Sequence, residues 1–287
     1  MALRLVACGY PVRGYGVAAS ERELALAAGI TVCDNLADAV ADADLVVLAV
    51  PLPTMGKVGA RVAAAISPQA TVIDVGSVKA SVRAALEATG LAGRYVGTHP
   101  MAGSERSGFA AADPQLLVGA PWVISTDGSL RGPNQPPEAP EPIGTCGQNA
   151  ATSQLQEAER RARLVRHFLG EVFSAHIIEL TDEAHDEAQV LISGLPHVLA
   201  VQLLNQVATS AVSETALALA AGSFRDGTRV AYTDPERTKA LVTENSANVA
   251  NVLRQTAAAL TDLAKQLEQS EDTTSFFHAA DSLRRLR

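Results

Sequence analysis

Residues 44–50 and 71–75 form near-continuous apolar runs, with Asp44, Thr71 and Asp74 the exceptions, so any strand they form must be covered on both faces. A strand with one wet face would alternate instead. Similar short runs lie at 12–15, 94–98 and 121–126, and alanine-rich helical stretches such as 20–28 separate them. A helix at 154–169 and a strand near 176–180 close the pattern. Strand and helix in alternation demand a doubly wound, mostly parallel sheet with helices on both sides.

From residue 181 onward the texture is helical only. Asp182 can cap a long helix over about 183–211, with Pro196 kinking it. Asp234-Pro235 reads as a cap followed by proline at the first helical position. Val249, Leu253, Leu260, Leu263 and Leu267 then fall on one helical stripe, facing either the core or a second subunit. Two domains follow: an α/β domain of nucleotide-binding type over 1–180 and a helical domain over 181–287, the candidate for dimerisation and substrate contacts. Five of the 14 prolines crowd into 133–142, so 128–150 reads as a disordered insertion.

Composition narrows the function classes. A chain of 287 residues with 47% hydrophobic content buries a core in each half. A net charge of -8 and only 4% aromatic residues argue against a nucleic-acid partner. Cys8, Cys33 and Cys146 share no metal or redox spacing, which suits a reducing compartment. No uninterrupted apolar run reaches the roughly 20 residues that span a bilayer, and residues 1–7 lack the order of a signal peptide. The expectation is a cytoplasmic protein with a small-molecule substrate, no membrane partner and a homodimeric state.

Domains of this Rossmann-like class usually open with a strand, a G-x-G-x-x-G loop and a helix. Here the first strand and glycine loop are missing. Residues 1–8 read as the second half of the first helix, and Gly14-Tyr15-Gly16 as the end of the second strand. Residues 16–20 offer neither the acid that holds an NAD ribose nor an arginine for a 2′-phosphate, so NAD and NADP both stay open.

Ligands of an open parallel sheet sit beyond the carboxyl ends of its strands. Val50 and Pro51 end one run, Gly76-Ser77-Val78-Lys79 follows the next, and His99 sits in a glycine-rich segment after another. The proline after His99 biases its backbone to extended geometry. Val50, Pro51 and Ser77 are candidate cofactor contacts.

Asp74-Val75-Gly76-Ser77-Val78-Lys79, the segment Gly97-Thr98-His99-Pro100-Met101-Ala102-Gly103-Ser104-Glu105-Arg106-Ser107-Gly108 and Gly222-Ser223-Phe224-Arg225-Asp226-Gly227-Thr228-Arg229 together resemble the prephenate dehydrogenase family, most nearly its actinobacterial type. The resemblance runs from about residue 3 to about residue 268, the insertion excepted. It implies oxidative decarboxylation of prephenate to 4-hydroxyphenylpyruvate, with hydride passing to NAD or NADP, on the way to tyrosine. His99 matches the histidine that takes the 4-hydroxyl proton, a task its near-neutral pKa suits. Ser77 matches the serine that orients that histidine and the nicotinamide. Arg229 matches the arginine on a substrate carboxylate. Glu105 and Asp226 match acidic residues near the pocket mouth, and His197 a pocket histidine. Where the family often has a second histidine, this chain has Gly194. Arogenate dehydrogenase, acting on the amino counterpart of prephenate, is the enzymatic alternative. A non-catalytic relative that has lost its nucleotide loop is the other.

Overall fold

The structure is a computed structural model that describes residues 1–126 apart from 17, 105 and 107, and residues 149–285, the side chains of 149–154 excepted. Glu105 and residues 128–148 of the expected insertion lie outside the described residues. Asn149 and Ala150 belong to a helix, so the insertion reading ends two residues too late.

The α/β part runs α1 (Ala2–Ala7), β1 (Arg13–Gly14), α2 (Ala19–Ala27), β2 (Thr31–Val32), α3 (Leu36–Val40), β3 (Leu45–Leu48), α4 (Met55–Ala63), β4 (Thr71–Asp74), α5 (Ala80–Glu87), β5 (Tyr95–Pro100), β6 (Pro121–Thr126), α6 (Asn149–Phe173) and β7 (His176–Thr181). β1 and β2 form a parallel pair, and a second sheet has the order β3-β4-β5-β6-β7. Every pairing in the larger sheet is parallel except β5 with β6.

The two-faced apolar runs place this sheet. Val46, Leu48 and Val72 pack with Leu36, Val40, Met55, Val62, Val82 and Leu86, the inner faces of α3, α4 and α5. Their sequence neighbours Leu45, Val47 and Ile73 point the other way, into a cluster with Val96, Trp122, Val165, Leu169 and Phe173. The period-two alternation of a strand thus feeds two separate cores, one under each helical layer. α6 continues beyond the expected end at Leu169, through Gly170, and stops at Ser174, whose φ of 49° is left-handed.

Beyond β7 come α7 (Asp182–Gln189), a π-helical turn (Val190–Gly194), α8 (Leu195–Ala208), α9 (Ser213–Ala218), α10 (Gly222–Thr228), α11 (Pro235–Glu244), α12 (Ser246–Glu268), α13 (Thr274–His278) and α14 (Asp281–Arg284). The expected Asp234 cap is present, its Oδ1 accepting from Glu236 N at 2.8 Å. The long helix differs from expectation in three respects. Thr181, not Asp182, is its cap, with Oγ1 accepting from Ala184 N at 3.2 Å; Asp182 is freed to pair with Arg83. A π turn precedes Pro196, absorbing the hydrogen bond that a proline cannot make. The helix also ends at Ala208 rather than 211. Thr181→Ala should lower unfolding free energy by about 0.5–2 kcal/mol, the usual cost of losing a cap. Urea denaturation against the parent chain measures it.

By length and composition alone, Asp182–Ala208 is apolar enough to cross a membrane, with a mean hydropathy of 1.4 in an 18-residue window, although no uninterrupted apolar run within it reaches 20 residues. Only 17% of that window is buried in this chain. Leu191 and Ile192 are 58% and 63% exposed. The α12 stripe behaves alike: Val249 is buried, whereas Leu260 and Leu267 are exposed.

Candidate active site

Asp74 closes β4 and is fully buried. Four donors hold its carboxylate. Oδ1 accepts from the Tyr95 hydroxyl at 2.9 Å and from Thr98 N at 3.1 Å. Oδ2 accepts from Gly76 N at 2.8 Å and pairs with Lys79 Nζ. Lys79 is fully buried as well, and its Nζ also donates to Thr98 O at 2.7 Å. Burial pushes the Lys79 ammonium below its ordinary pKa while Asp74 opposes the shift. Burial, reinforced by the Asp74 charge, raises the Tyr95 hydroxyl well above its ordinary value. The network stitches the ends of β4 and β5 to the turn before α5, so the residues between them have little freedom.

His99 lies near the end of β5 and is 9% exposed. Its Nδ1 is 2.9 Å from Nε2 of His185, and Nδ1 of His185 is 2.8 Å from Oδ1 of Asp186. Asp186 also accepts from the backbone N–H groups of Lys79 at 2.7 Å and Ala80 at 2.9 Å, capping α5 from α7. Asn245 anchors this turn, donating through Nδ2 to Asp186 O at 2.8 Å. The pattern assigns tautomers. A carboxylate only accepts, so His185 carries its proton on Nδ1 and offers a lone pair at Nε2. His99 must then donate from Nδ1, which leaves its Nε2 unprotonated. Burial first, then the Lys79 charge and His185, hold the His99 pKa well below 6.5. The result is a neutral imidazole with a fixed basic nitrogen at the carboxyl edge of the sheet.

Sequence reasoning did not single out Lys79, His185 or Asp186. Lys79 ends the segment Asp74-Val75-Gly76-Ser77-Val78-Lys79. His185 and Asp186 are carried by α7, whose sequence Asp182-Glu183-Ala184-His185-Asp186-Glu187 is polar but for one alanine and reads as a solvated helix end. Their spacing of three and four residues from Asp182 and Gln189 was the available signal, because all four share one buried face.

Val50 and Pro51 follow β3, and Ser77 follows the adjacent β4. Ser77 and Val50 are half-buried and Pro51 is exposed. A Cβ on Gly76 would stand 2.9 Å from both Asp74 Oδ2 and Leu52 Cδ2, so any side chain here would displace one of them. His197 is half-buried on α8, its Nδ1 donating to Ser193 O at 2.9 Å across the π turn. Arg229 is exposed at the start of the 3-10 turn Arg229–Tyr232, which packs against α8. Asp226 is exposed on α10. His99 lies near the end of β5 and Ser77 just beyond the end of β4, whereas His197 and Arg229 belong to α8 and to a turn packed against it.

Residues 1–135 match the family model described as prephenate dehydrogenase, nucleotide-binding domain, and residues 181–280 match that described as prephenate dehydrogenase, dimerization domain. A cyclohexadienyl dehydrogenase of Zymomonas mobilis is 33% identical over 81% of this chain and 71% of its own length. A prephenate dehydrogenase of Bacillus subtilis is 27% identical over 91% of this chain and 65% of its own length. Among solved structures, prephenate dehydrogenase from A. aeolicus, in complex with hydroxyphenyl propionate and NAD+, aligns with a TM-score of 0.79 at 23% identity, over 99% of this chain and 92% of that one. A putative prephenate dehydrogenase from Corynebacterium glutamicum aligns with a TM-score of 0.79 at 28% identity, over 100% of this chain and 84% of that one.

Proposed function

We propose that this chain, which belongs to the prephenate dehydrogenase family, oxidatively decarboxylates prephenate to 4-hydroxyphenylpyruvate with NAD as hydride acceptor. The observation that carries the reading is the buried chain His99–His185–Asp186, which leaves Nε2 of His99 as the ring nitrogen available to act as a base. When bound, the nicotinamide ring supplies an electrophilic carbon that accepts hydride.

His99 Nε2 faces the 4-hydroxyl of the substrate. As the C4–H bond breaks and hydride departs, the hydroxyl proton passes to Nε2. The bond from the ring to its carboxylate then breaks, CO2 leaves, and the released electron pair makes the ring aromatic. His99 returns its proton to the phenolate oxygen. His185 and Asp186 hold the imidazole in its tautomer and stabilise the transient positive charge. Ser77 orients the hydroxyl and the imidazole from the β4 side. Val50, Pro51 and the Gly76 turn seat the nicotinamide. Arg229 binds a substrate carboxylate, with His197 beside it and Asp226 and Glu105 at the pocket mouth.

Arg229→Ala should raise KM by about 10–150-fold with a smaller change in kcat, since a charge-assisted hydrogen bond contributes about 1.5–3 kcal/mol. Initial rates of NADH formation with prephenate test this. An unchanged KM would remove Arg229 from the site.

The exposed apolar face of the Asp182–Ala208 helix and the outer half of α12 support a homodimer formed through the helical part. Light scattering at micromolar concentration should give twice the chain mass of 29.8 kDa. A stable monomer contradicts the assignment of these faces.

A further inference from the structure

A crevice of about 200 Å³ lies where the two parts of the chain meet, between the turn Leu52–Thr54, α4 and α5 on one side and the end of α11 on the other. None of Val50, Pro51, Ser77 and His99 lines it. Gly56 and Ala85 line it where α4 packs on α5, and a Cβ on Gly56 would stand 3.6 Å from Ala85 Cβ. Leu52, Met55 and Val82 give it an apolar wall. Two opposite charges line it as well, Lys57 from α4 and Glu244 from α11. Neither has an ion-pair or hydrogen-bond partner among the described residues. Ser81 Oγ, on the α5 side, is buried and equally without a partner. The crevice also borders the groups that hold Asp186. Ser81 follows Ala80, whose N–H donates to Asp186 Oδ2 at 2.9 Å, and Glu244 precedes Asn245, whose Nδ2 donates to Asp186 O at 2.8 Å.

The lining narrows what can sit there. An inorganic anion would serve Lys57 but face Glu244, a cation would do the reverse, and an apolar molecule would leave both charges unpaired. A molecule with both charges and an apolar body satisfies the whole lining. Its carboxylate accepts from Lys57 and from the Ser81 hydroxyl, its ammonium donates to Glu244, and its hydrocarbon part meets Leu52, Met55 and Val82. The volume equals that of about seven waters in the liquid, which suits valine or leucine, whereas prephenate and tyrosine are larger. We propose that this crevice is a regulatory site for a small α-amino acid with an apolar side chain. A ligand held between α5 and α11 bears on both groups that moor Asp186, and through them on the tautomer chain that ends at His99. The binding stands apart from the function proposed above, and the effect on turnover rests on it.

Calorimetry of leucine on the full chain tests the site directly, with and without saturating 4-hydroxyphenylpyruvate to occupy the proposed active site. Leucine should bind with a millimolar or lower Kd in both cases. Isocaproate, which lacks the ammonium, and isoamylamine, which lacks the carboxylate, should each bind about tenfold or more weakly, as should leucine to Lys57→Met and to Glu244→Gln. The two analogues probe the wild type, so the outcome does not depend on a variant that folds. In initial rates with prephenate, saturating leucine should change kcat by about fivefold or more with KM nearly unchanged, and Lys57→Met should abolish that response while keeping the basal rate. Absence of leucine binding at about 10 mM overturns the proposal. So does displacement of leucine by 4-hydroxyphenylpyruvate, or equal binding of the two charge-deleted analogues. Leucine binding that leaves kcat unchanged overturns the regulatory role. If the chain does not oxidise prephenate at all, the proposed reaction falls, while calorimetry still decides whether the site exists.

Discussion

Replacing His99 with asparagine lowers kcat by about 10²–10⁴-fold and leaves KM nearly unchanged, because that is the usual worth of a positioned general base. Asparagine can keep a hydrogen bond to His185, so the fold around β5 survives. It cannot take the hydroxyl proton at neutral pH. A base acts as the transition state forms, so its loss appears in kcat, whereas the Arg229 clamp acts on bound substrate too and appears in KM. The wild-type pH profile follows from the same nitrogen. The neutral imidazole is the active form, and burial together with Lys79 and His185 holds its pKa well below 6.5. Activity should therefore persist on acidification past 6.5 and decline only as the pH falls through that lowered value. The profile is read from kcat/KM, which reports the free enzyme. An acid limb at or above 6.5 assigns the proton to another group.

Asp186→Asn is the second large effect. An amide presents a donor as readily as an acceptor to His185 Nδ1, so the tautomer chain that leaves His99 Nε2 unprotonated is no longer imposed. Exchanging the equivalent carboxylate of a serine-protease triad for an amide costs about 10⁴ in kcat. Here a loss of about 10²–10⁴-fold is expected. Asp186 also accepts from the N–H groups of Lys79 and Ala80, so thermal unfolding should show a further cost of about 0.5–2 kcal/mol from the weakened cap on α5. Kinetics measured well below the unfolding temperature separate the two. A variant that is less stable yet turns over normally would reduce Asp186 to a helix cap.

The α/β half was legible because its strands are apolar on both faces: 121–126 matches β6 residue for residue, and 71–75 exceeds β4 by one. What escaped was set by contacts between distant parts of the chain. His185 lies 86 positions from His99, and Asp186 caps a helix more than 100 positions earlier. Nothing local to α7 distinguishes such residues from a solvated helix end. The antiparallel pairing of β5 with β6 was equally hidden, since a covered strand reads the same in either direction. The π turn before Pro196 replaced a simple kink because the backbone can widen by one residue instead of bending. In the helical half, the periodicity of α12 was plain, but the outer leucines face away from this chain's core. Periodicity reports that a face is covered without naming what covers it.

Oxidative decarboxylation makes one hydride, one CO2 and one aromatic ring from each substrate molecule. The direct measurement is therefore an end-point assay with the purified chain, excess NAD and a limiting amount of prephenate, quantifying NADH, CO2 and 4-hydroxyphenylpyruvate together. The account predicts equal amounts of all three, and in His99→Asn all three formed more slowly by the same factor. NADH without an equal amount of CO2, or CO2 released without NADH, would contradict it.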